Sequence, residues 1–287
     1  MKTIVIVGLG ALGSLASRIS KEDIKLKLID RDFVDEKNIS RQVLYSKKDI
    51  GKLKVDAAYE KLSKYNKNIS VHPIDLTNEN VEILKSDLIL DCTDNLETRF
   101  LINDYAKKNK IPWIFASALG NKGMCLSLID SPCLRCFIQE PTEQLGTCET
   151  EGISLDILKN ISKVQILEAK KILEGKKPGN KLININGKII TKIEVKKDPA
   201  CPCCNGNYEY LNGKNKKEFI KLCGTNNFQI RGEFNIKNLK NQLDKLDEVK
   251  SFNDYITFKN LFIFKDRIII KANTKQEART VYDKYLG

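Results

Sequence analysis

The chain has 287 residues, 41% of them hydrophobic, enough for one large domain with a small companion or for two ordinary domains. Its 49 lysines and arginines against 37 acidic residues leave a net charge of +12, but the lysines are scattered and not interleaved with aromatic residues. That pattern argues for a solvated surface whose field favours acidic partners, and against direct nucleic-acid binding. No apolar run is long enough to cross a bilayer and no leader-like segment precedes the first strand, so a cytoplasmic protein is expected, with its nine cysteines serving a metal site and not a disulfide framework.

Thr3 to Val7 reads as a buried strand, followed by a glycine-rich turn and a helix over about residues 12–22. Lys25 to Ile29 is a second strand ending at Asp30, residues 52–65 are helical in pattern, and Val71 to Ile74 is a third strand. Asp87 to Cys92 is a fourth, with a helix over 96–109 behind it, and Pro112 to Ala116 a fifth. Strands alternating with helices of this length specify an α/β fold with a doubly wound, Rossmann-like, mostly parallel sheet. Past residue 117 the pattern changes to an antiparallel strand at 123–130, a polar loop at 138–152, an amphipathic helix at 155–174 closed by Gly175, and a hairpin of 181–186 with 189–196 turning on Asn186-Gly187. Residues 1–205 are expected to form one domain with an antiparallel, cysteine-bearing extension. Residues 206–287 are expected to form a small C-terminal α/β unit with a strand at 267–271 and a helix at 274–285.

Gly8-Leu9-Gly10-Ala11-Leu12-Gly13 places three glycines between a strand and a helix. Glycine lets the backbone approach phosphate oxygens, and Asp30 at the end of the next strand can grip ribose hydroxyls; neither separates NAD from ATP. Asp30-Arg31-Asp32 through Asn38-Ile39-Ser40-Arg41-Gln42 decides between them. A dehydrogenase has no use for a polar Asn-x-x-Arg-Gln segment here, whereas an arginine can brace a triphosphate while pyrophosphate leaves. Lys54, in Gly51-Lys52-Leu53-Lys54, is a second phosphate clamp or a solvated helix residue. In Asp91-Cys92-Thr93-Asp94-Asn95, at the carboxyl edge of the sheet, Asp94 can hold Mg²⁺ or cap the following helix, a duty Asn95 serves equally well. The sole histidine, His72, is read as structural and remote from these motifs.

Cys133-Leu134-Arg135-Cys136 and Cys201-Pro202-Cys203-Cys204 form two Cys-x-x-Cys pairs. Four thiolates from two turns make a closed, structural tetrahedral Zn²⁺ site with Cys203 to spare.

This set resembles the ThiF/MoeB/HesA family, relatives of ubiquitin-activating enzymes, over residues 3–205. The resemblance implies an ATP-dependent adenylyltransferase that activates the C-terminal glycine carboxylate of a small ubiquitin-like sulfur-carrier protein of the ThiS/MoaD kind and releases pyrophosphate. It implies Arg41, Lys54 and Asp94 as catalytic groups. Gly8, Gly10, Ala11, Gly13, Asp30, Asp32, Asn38, Gln42 and Asn95 are the implied nucleotide contacts, and Zn²⁺ sits on Cys133, Cys136, Cys201 and Cys204. Some members have a cysteine matching Cys148 that joins covalently to the activated carrier; here Glu149 and Glu151 flank it and disfavour the thiolate. The family arrangement also implies a homodimer in which a partner arginine, carried on an N-terminal helix, enters the ATP site. Only Met1 and Lys2 precede the first strand here, so another basic residue is expected in that role. Alternatives are an enzyme adenylylating a small-molecule or tRNA-attached carboxylate, and a non-catalytic scaffold of the same fold. The segments Leu222-Cys223-Gly224, Phe262 to Ile270 and Ala278 to Gly287 resemble a C-terminal extension found in part of the family.

Overall fold

A computed structural model describes residues 1–139, 152–177, 179–214, 219–222 and 227–287. They form two compact units, Met1–Asn215 and Lys216–Gly287.

The first unit runs β1 (Lys2–Val7), α1 (Ala11–Ala16), β2 (Ile24–Ile29), α2 (Lys54–Leu62), β3 (Ile69–His72), β4 (Leu88–Asp91), α3 (Leu96–Asn109), β5 (Trp113–Leu119), β6 (Lys122–Leu128), α4 (Leu155–Leu173), β7 (Lys181–Asn186) and β8 (Ile189–Glu194). They build one eight-stranded sheet in the order β3-β2-β1-β4-β5-β6-β7-β8. The first five strands are parallel and the last three antiparallel. Ile4 to Val7 and Leu88 to Asp91 are buried throughout, which is why β1 and β4 read as unbroken apolar runs and not as alternating strands. Chain order runs outward from β1 in both directions, so the β1–β4 junction is the switch point beside which ligands bind in such sheets.

The end of α1 and the place of His72 differ from the sequence reading, as do the bounds of β3, expected over 71–74 and found at Ile69–His72, and of α2, expected over 52–65 and found at Lys54–Leu62. Helix α1 ends at Ala16 and continues only as a tight turn over Ser17–Ile19. The Ser14 and Ser17 hydroxyls donate to the carbonyls three residues back, Ala11 at 3.0 Å and Ser14 at 2.9 Å, and this back-bonding tightens the chain. His72 is not remote: it ends β3 in register with Ile29, and its carbonyl accepts the Asp30 N–H at 3.3 Å.

Helix α4 ends where expected, with Gly175 at φ +78°. It buries Ile157, Leu158, Ile161, Gln165 and Ala169. It lies directly on the β6 backbone, since a Cβ on Gly123 would stand 2.3 Å from the Ile161 side chain. Residues 206–214 belong with the first unit. The Tyr210 N–H donates to Asp104 on α3 at 2.9 Å, and its ring lies 5.1 Å from that of Phe100.

The second unit is a six-stranded antiparallel sheet with α5 (Ile236–Leu243) and α6 (Lys275–Leu286). The sequence pattern named only Arg267–Lys271 among its strands, because the others are two to five residues long and give little periodicity. One sheet face (Phe228, Ile256, Phe258, Leu261, Ile263, Ile268 and Ile270) packs with Leu243 of α5 and Ala278 of α6. On the alternate positions Tyr255 stacks on Phe264 at 5.0 Å, and the Arg267 guanidinium covers Phe264 at 3.8 Å. No helix among the described residues is long and apolar enough to cross a membrane.

Candidate active site

The three glycines of the turn have different duties. Gly8 has φ +86°, and a Cβ there would lie 2.8 Å from the Cys92 carbonyl oxygen. A Cβ on Gly13 would lie 1.9 Å from the Gly8 carbonyl oxygen, whereas one on Gly10 meets nothing within 4 Å. Two glycines therefore close the turn against its own backbone and against the chain after β4, and the middle one faces open space at the switch point. Gly13→Ala is expected to cost about 3 kcal/mol, because a backbone carbonyl must move to admit the methyl group. Urea denaturation measures it, and an unchanged midpoint would show that the turn tolerates the shift.

The peptide between Gly8 and Gly10 is held at both ends. Leu9 N–H donates to Asp30 Oδ2 at 2.6 Å, and the Tyr45 hydroxyl donates to the Leu9 carbonyl at 2.9 Å. Asp30 Oδ1 accepts the Asp32 N–H at 2.8 Å, so the carboxylate expected at the ribose also fixes the phosphate turn. Burial and the nearby Asp32 raise the Asp30 pKa, against the opposing pull of Lys54 and these two N–H groups.

The Asn38–Gln42 segment follows a short turn over Glu36–Asn38. Asn38 and Gln42 are 1% and 4% exposed. Arg41 donates to Asn38 Oδ1 at 3.1 Å. Asn38 Nδ2 and Gln42 Oε1 are buried without a hydrogen-bond partner among the described residues. The orphaned Asn38 amide donor, next to Arg41, is what an anionic ligand would complete, whereas the Gln42 oxygen calls for a donor. Lys54 opens α2 as a buried residue, its Nζ 2.7 Å from Asp32 Oδ2, which excludes the solvated-surface reading. Burial pulls its pKa down, but Asp32 and Asp30 outweigh this and the net shift is upward. Lys52, by contrast, lies at the surface and pairs with Glu60 at 2.7 Å.

After β4 the helix cap falls to Asn95, whose Oδ1 accepts the Thr98 N–H at 2.9 Å. Asp94 is left exposed, close enough for its charge to act on Arg31, Lys54 and Asp91. Arg31 is itself paired with Asp75 at 2.7 Å. A solvent-facing carboxylate relieved of capping and beside these cations suits a hard divalent cation shared with phosphates.

The sulfur atoms of Cys133, Cys136, Cys201 and Cys204 all lie within 4.8 Å of one another, a cluster able to hold a metal ion. Separations of 3.5 Å (Cys133–Cys201 and Cys136–Cys204) and 3.9 Å (Cys133–Cys136) approach the edge of about 3.8 Å of a tetrahedron with zinc–sulfur bonds of about 2.3 Å. Cys203 lies outside the cluster, fully buried, with its sulfur 3.2 Å from Asn103 Nδ2. Asn103 Oδ1 accepts the Leu134 N–H at 2.8 Å, so this α3 residue ties both cysteine turns together. Cys148 lies outside the described residues.

Sequence reasoning passed over Tyr45, Asn103 and Gln165. The available signal for Gln165 was a polar residue on the apolar stripe of a helix; Asn103 and Tyr45 carried none, since their partners are distant in sequence.

Residues 1–203 match the ThiF family. The chain is 29% identical to the sulfur carrier protein ThiS adenylyltransferase of Bacillus subtilis, over 99% of this chain and 92% of that protein. It is 30% identical to the molybdopterin-synthase adenylyltransferase of Escherichia coli, over 70% of this chain and 86% of that one. Among solved structures, E. coli MccB with ATP shares the fold at a TM-score of 0.61 and 20% identity, over 71% of this chain and 66% of that one. With the phosphate turn, the Asn38–Gln42 segment and the Asp91–Asn95 loop gathered at one sheet edge, the chain belongs to the ThiF family.

Proposed function

We propose that the chain adenylylates the C-terminal glycine carboxylate of a small ubiquitin-like sulfur-carrier protein, consuming ATP and releasing pyrophosphate. The observation that carries this is the orphaned, buried Asn38 amide nitrogen beside Arg41, together with a glycine turn whose Gly10 faces open space. Relatives named for ThiS and for molybdopterin synthase support the carrier as substrate.

In this reading a carrier carboxylate oxygen attacks the α-phosphorus. The bond from that phosphorus to the bridging oxygen breaks, and pyrophosphate leaves with the electron pair. Gly10 and Ala11 present the turn to the phosphates, and Asp30 holds the ribose while keeping the Leu9 peptide oriented. Arg41 and Lys54 neutralise the charge that builds on the departing phosphates and the Asn38 amide donates to it, in a partly buried site where such charges count for more than in water. Asp94 would hold magnesium, which would supply further neutralisation of the phosphate oxygens. The four cysteines would hold structural zinc, which would tie together the two turns beside α3.

ATP–pyrophosphate exchange with and without a carrier ending in Gly-Gly tests the proposal. Exchange that requires the carrier is the expected result. Carrier-independent exchange driven by a small carboxylate points instead to a small-molecule adenylyltransferase, and no exchange with either points to a scaffold. A homodimer is part of the proposal, and sedimentation measures it. The covalent role of Cys148 is tested by intact-protein mass: a carrier-sized adduct that persists in Cys148→Ser excludes that residue as acceptor.

A further inference from the structure

Strands β4 and β5 pair only through Ile89 with Trp113 and Leu90 with Ile114. Beyond that point β5 runs on against β6 as far as Leu119, while the chain after β4 turns into Thr93 and Asp94. The two strands therefore part at the carboxyl edge, beyond the pairing of Leu90 with Ile114.

Two side chains fill the gap between them. From α4, the fully buried Gln165 donates through one nitrogen to the carbonyls of Asp91 at 2.9 Å and Ile114 at 3.3 Å. From α3, Arg99 donates to the carbonyl of Thr93 and, at 3.4 Å, to that of Ala116. Its Nε also lies 3.4 Å from Asp91 Oδ2. They reach the gap from opposite faces of the sheet: Arg99 lies 5.0 Å over the Phe115 ring, whereas α4 packs on the side of Gly123 and of Ser127, which donates to Glu168 at 3.3 Å. Asp91 Oδ1 completes the stem by accepting from the Thr93 N–H at 2.9 Å and its hydroxyl at 2.6 Å.

From this arrangement we infer that Gln165 and Arg99 are positioning residues for the Asp94 loop, setting where its carboxylate meets the metal–nucleotide complex; the inference rests on the proposed function above. Each spans the gap between one carbonyl of the Asp94 stem and one of β5, so neither strand end can drift without breaking a bond to a buried group. Magnesium demands near-ideal octahedral geometry, so a small displacement of its carboxylate ligand is costly. Groups that orient a ligand from behind typically change metal affinity by about 10- to 100-fold when removed.

The test is the Mg²⁺ dependence of binding of a fluorescent ATP analogue by Gln165→Leu, read beside circular dichroism and a thermal melt. The expected result is a folded variant that needs about tenfold more Mg²⁺ for half-maximal binding. A half-saturating Mg²⁺ concentration within twofold of wild type, in a folded variant, overturns the inference. Should Gln165→Leu not fold, Arg99→Lys gives the second reading: it keeps a cation beside Asp91 but is shorter than the guanidinium that reaches both carbonyls, and the same Mg²⁺ shift is expected. Loss of folding in both variants also overturns it, because the two residues would then be structural alone. Wild-type protein that binds Mg²⁺ with the analogue but exchanges no pyrophosphate counts against the proposed function and leaves this inference standing.

Discussion

Asp94→Ala should reduce Mg²⁺-dependent ATP–pyrophosphate exchange to below about a tenth of the wild-type rate while leaving the fold intact, because it removes the carboxylate proposed to hold magnesium beside the phosphates. The fold should survive because Asp94 is exposed and the cap of α3 belongs to Asn95. The rate should fall because Asp94 is the solvent-facing carboxylate at the end of β4 whose charge acts on Arg31 and Lys54. In the proposed reading the metal would then lose a protein ligand on this edge, and the phosphates their shared cation. Retention of more than about a tenth of the exchange rate counts against the assignment. Arg41→Ala should fall by about 10²-fold, the magnitude found when one preorganised transition-state donor is removed. Arg41 has a further role in the ground state, since it donates to Asn38 Oδ1. Asn38→Ala in parallel therefore separates loss of the charge from loss of the segment's shape: a tenfold smaller effect in Asn38→Ala would assign the larger part to charge.

Cys133→Ser is expected to take the metal content from about one zinc per chain to none, with early melting or aggregation, because structural zinc binding is itself folding free energy. The four sulfurs converge from turns far apart in sequence, and Cys133 and Cys201 approach to 3.5 Å. Without the cation, thiols at these separations have only weak hydrogen bonds to hold them. Metal analysis and a thermal melt with and without a chelator decide the matter. A metal-free wild type, or an unchanged melting temperature in Cys133→Ser, would falsify the zinc reading. Cys203→Ala is the control and should keep one zinc. A modest loss of stability is expected there, because Cys203 is fully buried and its sulfur accepts from Asn103.

The parallel half of the sheet was legible because β1 and β4 must be apolar on both faces, and α3 was legible to the residue because Asn95 caps it and Lys110 ends it at φ +55°. The other strands of the C-terminal unit, two to five residues long, were not, since so few residues carry little periodicity. Lys54 shows the limit at the site. By sequence it is one lysine of two near a helix start, and only its approach to Asp32 at 2.7 Å and its burial remove it from the surface.

By itself the sequence determined the α/β class, the glycine-rich turn, the four cysteines that cluster and the family. Each of these depends on residue types at short, fixed spacings, and the chain encodes such spacings directly. The tertiary structure decided which glycine stays open, which of Asp94 and Asn95 caps the helix, which lysine enters the site, and that Tyr45, Arg99, Asn103 and Gln165 hold backbone groups in place. Those outcomes depend on atoms brought together from distant parts of the chain, where burial leaves a polar group only the partner that the fold provides.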